Sequence, residues 1–121
     1  MKRRREQPEA MLQRALMQHV FARSARGTYV FAVPNGGKRS RISSAIFKGL
    51  GVRAGVPDLI CIKAGQVCAI ELKSPTGRLS KHQRATIDEL TAAGCLVRVI
   101  DNIDDAVAWL EKLGFLKGHV Q

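Results

Sequence analysis

Cysteine is scarce in this chain, and its few copies follow no disulfide or zinc-finger pattern. There are three, Cys61, Cys68 and Cys95, with no CxxC pair. An odd count without that spacing argues against a disulfide framework and against a zinc finger. Small buried apolar side chains are the role left to them. Long apolar runs are also missing. None reaches the ~18 residues that read as a membrane span, and the basic N-terminus lacks the apolar core of a signal peptide. A cytoplasmic protein is the expectation, with no membrane partner. Acids are thin at one end of the chain. Residues 1–53 hold twelve Lys/Arg against two acids, Glu6 and Glu9, whereas residues 54–121 hold eight of each. The whole net charge of +10 therefore falls in the first 53 of 121 residues. A polyanion, with nucleic acid foremost, is the natural partner, and its affinity would fall steeply with salt. The basic residues do not lie along one amphipathic helix, which disfavours an anionic membrane. A merely solvated basic surface is the plain alternative.

The length suits one domain. Residues 1–7 read as a basic, disordered tail and residues 8–121 as the domain. Leu12, Leu16 and Val20 form an apolar stripe that predicts a helix over 8–25. Glu9 lies on that line, so it either points inward or complements the helix dipole from the first turn. A strand over 28–33 is broken at Pro34-Asn35-Gly36-Gly37. A basic loop (Lys38, Arg39, Arg41) and a short helix over 42–50 follow. Gly49, Gly51 and Gly55 then surround Arg53, in a spacing that matches neither a dinucleotide-binding loop nor a P-loop. Strands are predicted over 59–62 and 67–72. Ser80 and Gln83 have capping-box spacing for a helix ending near Ala93 and Gly94. A strand over 96–100 and a helix to Leu113, capped by Asp101 or Asn102, complete the order. Trp109 reads as a packing or interface residue. The sum is an α/β domain, a small mixed sheet flanked by helices.

Three charges interrupt this pattern. Asp58 opens one apolar run, and Glu71 and Lys73 close the next. A charge in a buried strand is costly unless it is paired or metal-bound. If Ala64-Gly65 makes a two-residue hairpin loop, Lys63 pairs with Gln66, and stepping back along both strands puts Asp58 opposite Glu71. Directly opposed Cβ atoms lie roughly 4.5–5.5 Å apart on one face, and Lys73, two residues beyond Glu71, joins that face. Ala-Gly is not a favoured pair for such a loop, which prefers Gly or Asn at positive φ. Two carboxylates so placed repel when empty and suit a divalent cation with oxygen ligands. A structural ion pair with Lys73 is the competing reading. In the same register Cys61 faces Cys68 on the opposite side of the hairpin.

The order of elements and these charges together resemble the PD-(D/E)xK nuclease superfamily, whose core is αβββαβ, the restriction-endonuclease-like fold. Within it the chain is similar to the virus-type replication-repair nuclease (VRR-NUC) family. The matching text is Val33 to Arg39 (VPNGGKR), Gly51 to Leu59 (GVRAGVPDL), Ile70 to Gln83 (IELKSPTGRLSKHQ) and Ala92 to Gly94. The likeness spans about residues 9–113.

The resemblance implies a Mg²⁺-dependent deoxyribonuclease, with Mn²⁺ as substitute and no small-molecule cofactor. Asp58 and Glu71 would be metal ligands, with the Leu72 carbonyl oxygen as a third. Lys73 would be the catalytic lysine, and Glu9 the helix acid that completes the metal site or orients a metal-bound water. Gln83 resembles a glutamine near the site; a capping role is compatible with that. Lys38, Arg39, Arg41, Arg53, Arg78 and Lys81 are the candidates for DNA contact. With only a nuclease core and a basic tail, the chain resembles stand-alone phage or bacterial members and the homodimeric Holliday-junction resolvases of the superfamily. A homodimer cutting branched DNA in DNA repair is the expectation. The alternatives are a non-catalytic basic DNA-binding module, or a nuclease of flap or linear-duplex specificity.

Overall fold

Four strands of alternating or apolar sequence pair into one mixed sheet in the computed structural model, which describes residues 8–34 and 41–118. The expected tail and the loop residues Lys38 and Arg39 lie outside the described residues. In chain order the elements are α1 (Pro8–Arg23), β1 (Tyr29–Ala32), α2 (Arg41–Gly49), β2 (Leu59–Lys63), β3 (Gln66–Leu72), α3 (Lys81–Ala92), β4 (Leu96–Ile100) and α4 (Ile103–Leu113). The sheet order is β1-β2-β3-β4, antiparallel at the first two junctions and parallel at the third. The expected α/β core with a small mixed sheet is therefore what forms.

The β2–β3 hairpin has the tight loop inferred from sequence. Lys63 pairs with Gln66, and the ladder runs on to Leu59 opposite Ile70. Ala64 and Gly65 both take positive φ, +50° and +79°. That combination marks the type I′ turn, whose twist matches the strands it joins. Glycine accepts it freely; alanine does so at a steric cost of roughly 1 kcal/mol.

One face of the sheet carries the core. Leu59, Cys61, Cys68, Ile70, Leu72 and Ile100 alternate onto it and meet Leu16 and Val20 of α1 and Ala106, Trp109 and Leu110 of α4. Trp109 is thus a packing residue, with the Arg98 guanidinium 5.4 Å from its ring centre. Phe115 and Leu116 belong to this core too, although the expected last helix stopped at Leu113. Gly114 caps α4 in the left-handed conformation, and that turns the next two side chains inward. Lys63 Nζ donates to the Gly114 carbonyl at 2.8 Å, a cation at a helix C-terminus. Helix α1 ends at Arg23, short of Ala25, because the backbone turns to bond the C-terminal segment. The Ala25 N–H donates to Phe115 O at 2.9 Å, and Lys117 N–H donates to Arg23 O at 2.8 Å. Asn102, the second of the two expected caps, accepts the Asp105 N–H. The three cysteines are free and buried, with Cys61 directly opposite Cys68. A hydrogen bond to Cys61 and burial push the Cys68 thiol up, so it stays a protonated core side chain.

Candidate active site

Alternation along β3 puts Ile70 and Leu72 into the core and turns Glu71 to the other face, toward α3. Glu71 is only 3 % exposed. Asp58 precedes β2, one step beyond the Leu59–Ile70 pair, and so falls opposite Glu71. It is fixed from both sides: its carbonyl accepts the Val33 N–H, and its Oδ2 accepts the Leu72 N–H, both at 2.8 Å. In an extended strand a residue's N–H and C=O turn to the same edge, so the Leu72 carbonyl shares the Asp58 side. Lys73 Nζ lies 3.9 Å from Glu71 Oε1. The three charges inferred from the hairpin register thus meet on one face.

Gln83 joins them through its helix cap. Ser80 Oγ accepts the Gln83 N–H at 3.1 Å, and Gln83 Oε1 accepts the Ser80 N–H at 2.9 Å, a complete capping box. The cap fixes the amide's orientation: its oxygen is committed to Ser80, so its NH₂ faces the sheet. There Nε2 donates to Glu71 Oε1 at 2.7 Å. Capping and site roles are met by one side chain.

Two contacts that the sequence reading missed tie the Asp58 loop to the same helix. Thr86, a polar residue on the buried side of α3, donates to the Ala54 carbonyl at 2.7 Å. Gly55, with φ +78°, lies so close to α3 that a Cβ there would fall 2.4 Å from the His82 carbonyl oxygen. The signals were a lone buried threonine and a glycine three residues before the acid.

Glu71 Oε1 is occupied by Gln83 and Lys73. Glu71 Oε2 has no hydrogen-bond partner, alone among the buried side-chain N and O atoms of the described residues. A buried charged oxygen left unpaired costs on the order of 1–3 kcal/mol or more. The electrostatics agree. Burial first, then the Asp58 charge, push the Glu71 carboxyl up to about 7, with Lys73 pulling the other way. An orphaned oxygen, a second carboxylate beside it and a strand carbonyl make an all-oxygen donor set that fits a hard divalent cation with few protein ligands. Glu9 is not drawn into this set. It is half-buried in the first turn of α1, and no described ion pair or hydrogen bond joins it to Asp58, Glu71 or Lys73. Among the described residues no three His, Cys, Asp or Glu gather closely enough to hold a metal between them.

The fold has known counterparts. The model of the VRR-NUC domain matches residues 7–102, well over half of the chain. The chain belongs to the VRR-NUC family. A solved VRR-NUC domain protein superposes with a TM-score of 0.72 at 25 % identity, covering 98 % of this chain and 99 % of that one. A second solved VRR-NUC domain shares the fold, with a TM-score of 0.61 at 18 % identity, covering 88 % of this chain and 97 % of its own. No curated protein matches. The chain is thus a nuclease domain, which implies DNA as its substrate.

The acids of this VRR-NUC domain open into a cleft of ≈ 680 Å³ lined by Asp58, Glu71, Gln83, Arg53 and Phe47, among others. Of the basic residues expected to contact DNA, Arg53 lines the cleft and pairs with Glu89 at the surface. Lys81 is exposed at the start of α3, and Arg78 in the loop before it. The backbone of Arg41 begins α2, while its side chain, like those of Lys38 and Arg39, lies outside the described residues. No described helix is long and apolar enough to cross a membrane.

Proposed function

We propose that this VRR-NUC domain is a metal-dependent endonuclease that hydrolyses phosphodiester bonds in branched DNA. The observation that carries the reading is Glu71 Oε2, a buried carboxylate oxygen without a partner, beside Asp58 and Lys73. Asp58, Glu71 and the Leu72 carbonyl would hold Mg²⁺, with Mn²⁺ as substitute. The chemistry supplied by the bound ion is Lewis-acid polarisation of the phosphoryl oxygens and a lowered pKa for the attacking water.

The chain's own groups do the rest. Lys73, held beside Glu71 and largely desolvated, presents a fixed positive charge to the phosphoryl group as charge develops on it. Gln83 locks the Glu71 carboxylate in one orientation, and its own orientation is set by the Ser80 cap. Arg53, Arg78 and Lys81 bind flanking phosphates, and the basic first 53 residues add sequence-independent affinity. Two copies acting together would suit the two strands of a four-way junction.

A panel of four-way junction, flap, nicked and linear duplex DNA tests this with Mg²⁺, Mn²⁺ or EDTA, beside the mass of the protein in solution. Cutting of branched DNA that EDTA stops is expected. Asp58→Asn and Lys73→Ala should abolish cutting and largely spare binding. Full activity in either variant, or undiminished cutting in EDTA, refutes the reading.

A further inference from the structure

The loop that leads to Asp58 meets α3 along one line of the helix. Arg53 pairs with Glu89, the Ala54 carbonyl accepts the Thr86 hydroxyl at 2.7 Å, and Gly55 abuts the His82 carbonyl. Positions 82, 86 and 89 share one face of a helix. Three consecutive loop residues therefore dock on successive turns as the chain runs toward Asp58. The three contacts are unequal. The Arg53 and Glu89 side chains are 62 % and 59 % exposed, and an ion pair that open contributes little. Gly55 permits the close approach but its missing side chain supplies no bond. Thr86 is 8 % exposed, so its hydrogen bond lies where water competes least. Packing leaves the loop room to move, because a pocket of ≈ 390 Å³ adjoins it, lined by Val52, Arg53, Ala54, Ala85 and Thr86 among others.

We infer that Thr86 is a positioning residue that biases the Asp58–Glu71 site toward Mg²⁺ and against Ca²⁺. The inference rests on the metal-dependent reading of this site and specifies what sets its choice of ion. Mg²⁺ demands near-ideal octahedral geometry, whereas Ca²⁺ accepts more oxygens in flexible arrangements. Donors held rigidly can favour the stricter ion; donors that wander favour the tolerant one. Glu71 is held by Gln83. Asp58 is held at its own carbonyl by the Val33 N–H and at Oδ2 by the Leu72 N–H. Thr86 adds the buried side-chain bond on the loop that delivers Asp58. Without that hydroxyl the Ala54 carbonyl loses its partner, and the pocket beside it gives the loop space to shift. A less fixed Asp58 costs Mg²⁺ more than Ca²⁺.

Metal binding to the full chain tests this without DNA or cleavage. Bound Mn²⁺ is followed by electron paramagnetic resonance, at a pH that keeps Glu71 ionised, and is displaced with Mg²⁺ or with Ca²⁺. Removing a group that orients a metal ligand lowers metal affinity by on the order of tenfold or more. Thr86→Val should weaken Mg²⁺ by about that factor and Ca²⁺ by clearly less. Thr86→Ala, which leaves room for a water at the Ala54 carbonyl and so is gentler on the fold, should do the same. Thr86→Ser keeps the hydroxyl and should keep the wild-type ratio of the two affinities. Val107→Ala trims a side chain packed against the core on the other face of the sheet. It lowers stability without touching the loop and should leave both affinities unchanged. Equal losses of Mg²⁺ and Ca²⁺ in the Thr86 variants, no loss at all, or the same shift in Val107→Ala overturns the inference. A wild-type chain that binds none of the three ions overturns the metal reading itself, a separate and recognisable result.

Discussion

Glu71 should make the metal-free protein lose stability as pH rises through neutrality. Its folded-state pKa lies near 7, above the ordinary value of 4.5. The folded chain therefore holds a proton between those values that the unfolded chain has released. The associated stability is fully present below about pH 4.5 and disappears as pH rises through about 7, where the folded protein must bury a carboxylate it cannot fully pair. Linkage puts the loss between about pH 5 and about pH 8 at roughly 2.5 kcal/mol. Glu71→Gln abolishes the titration and keeps an oxygen for Gln83 to donate to. Its new NH₂ adds an unsatisfied donor of its own, so its absolute stability is not diagnostic; its pH slope is. Urea unfolding in EDTA across this range should show wild type falling by that amount relative to the variant. Adding Mg²⁺ at about pH 8 should restore wild type, by about 2.7 kcal/mol at a hundred times the Kd, and leave Glu71→Gln unmoved. Parallel pH profiles for the two proteins would refute both the burial argument and the reading of Oε2 as a ligand position.

Further outcomes follow from single contacts. Gly55→Ala should cost about 2–5 kcal/mol in chemical denaturation, the sum of a left-handed alanine and a clash with the start of α3. Gly65→Ala has the same sign of φ and open space around its Cβ, so it should cost only about 1–2 kcal/mol; equal losses would remove the close approach from the explanation. Thr86→Val should lose about 1–3 kcal/mol by leaving the Ala54 carbonyl unpaired, measured the same way. Ala64→Asn puts the preferred residue into the type I′ turn and should raise the melting temperature, by the equivalent of about 0.5–1 kcal/mol; an unchanged or lower value would contradict the turn assignment.

The part of the site made by sheet register was legible in the sequence, because strand alternation is arithmetic. Once Lys63 and Gln66 close a two-residue loop, Asp58 and Glu71 must oppose each other and Lys73 must share their face. The unfavourable Ala64 changed only the cost of that loop. Parts that depend on side-chain rotation were not legible. The capping-box spacing announced Gln83 as a helix cap, yet only the three-dimensional placement of α3 over β3 lets the amide hydrogens of the same cap reach Glu71. Helical spacing put Glu9 on the core-facing line, but a line of positions does not say how far along the sheet the helix lies, and the structure leaves Glu9 outside the set. Phe115 and Leu116 escaped for a related reason. They follow the glycine that ends α4, where helical periodicity stops and the left-handed turn alone decides which way the chain goes.

The Asp58 loop shows how these two kinds of information combine. Nothing local requires Val52 to Pro57 to lie where it does, since the stretch has no regular structure. Thr86 and Gly55 pin it to α3, and Gln83 of the same helix holds Glu71. The hairpin register opposes the two carboxylates, and helix α3 braces both of them, Asp58 through its loop and Glu71 through its side chain. Their mutual spacing is thus held from the sheet and from α3 at once, which is what the proposed sharing of one cation by two oxygen donors would need. On the proposed reading a bound cation would supply the partner that Glu71 Oε2 lacks, and the cost of burying that carboxylate would be offset only when the cation is bound.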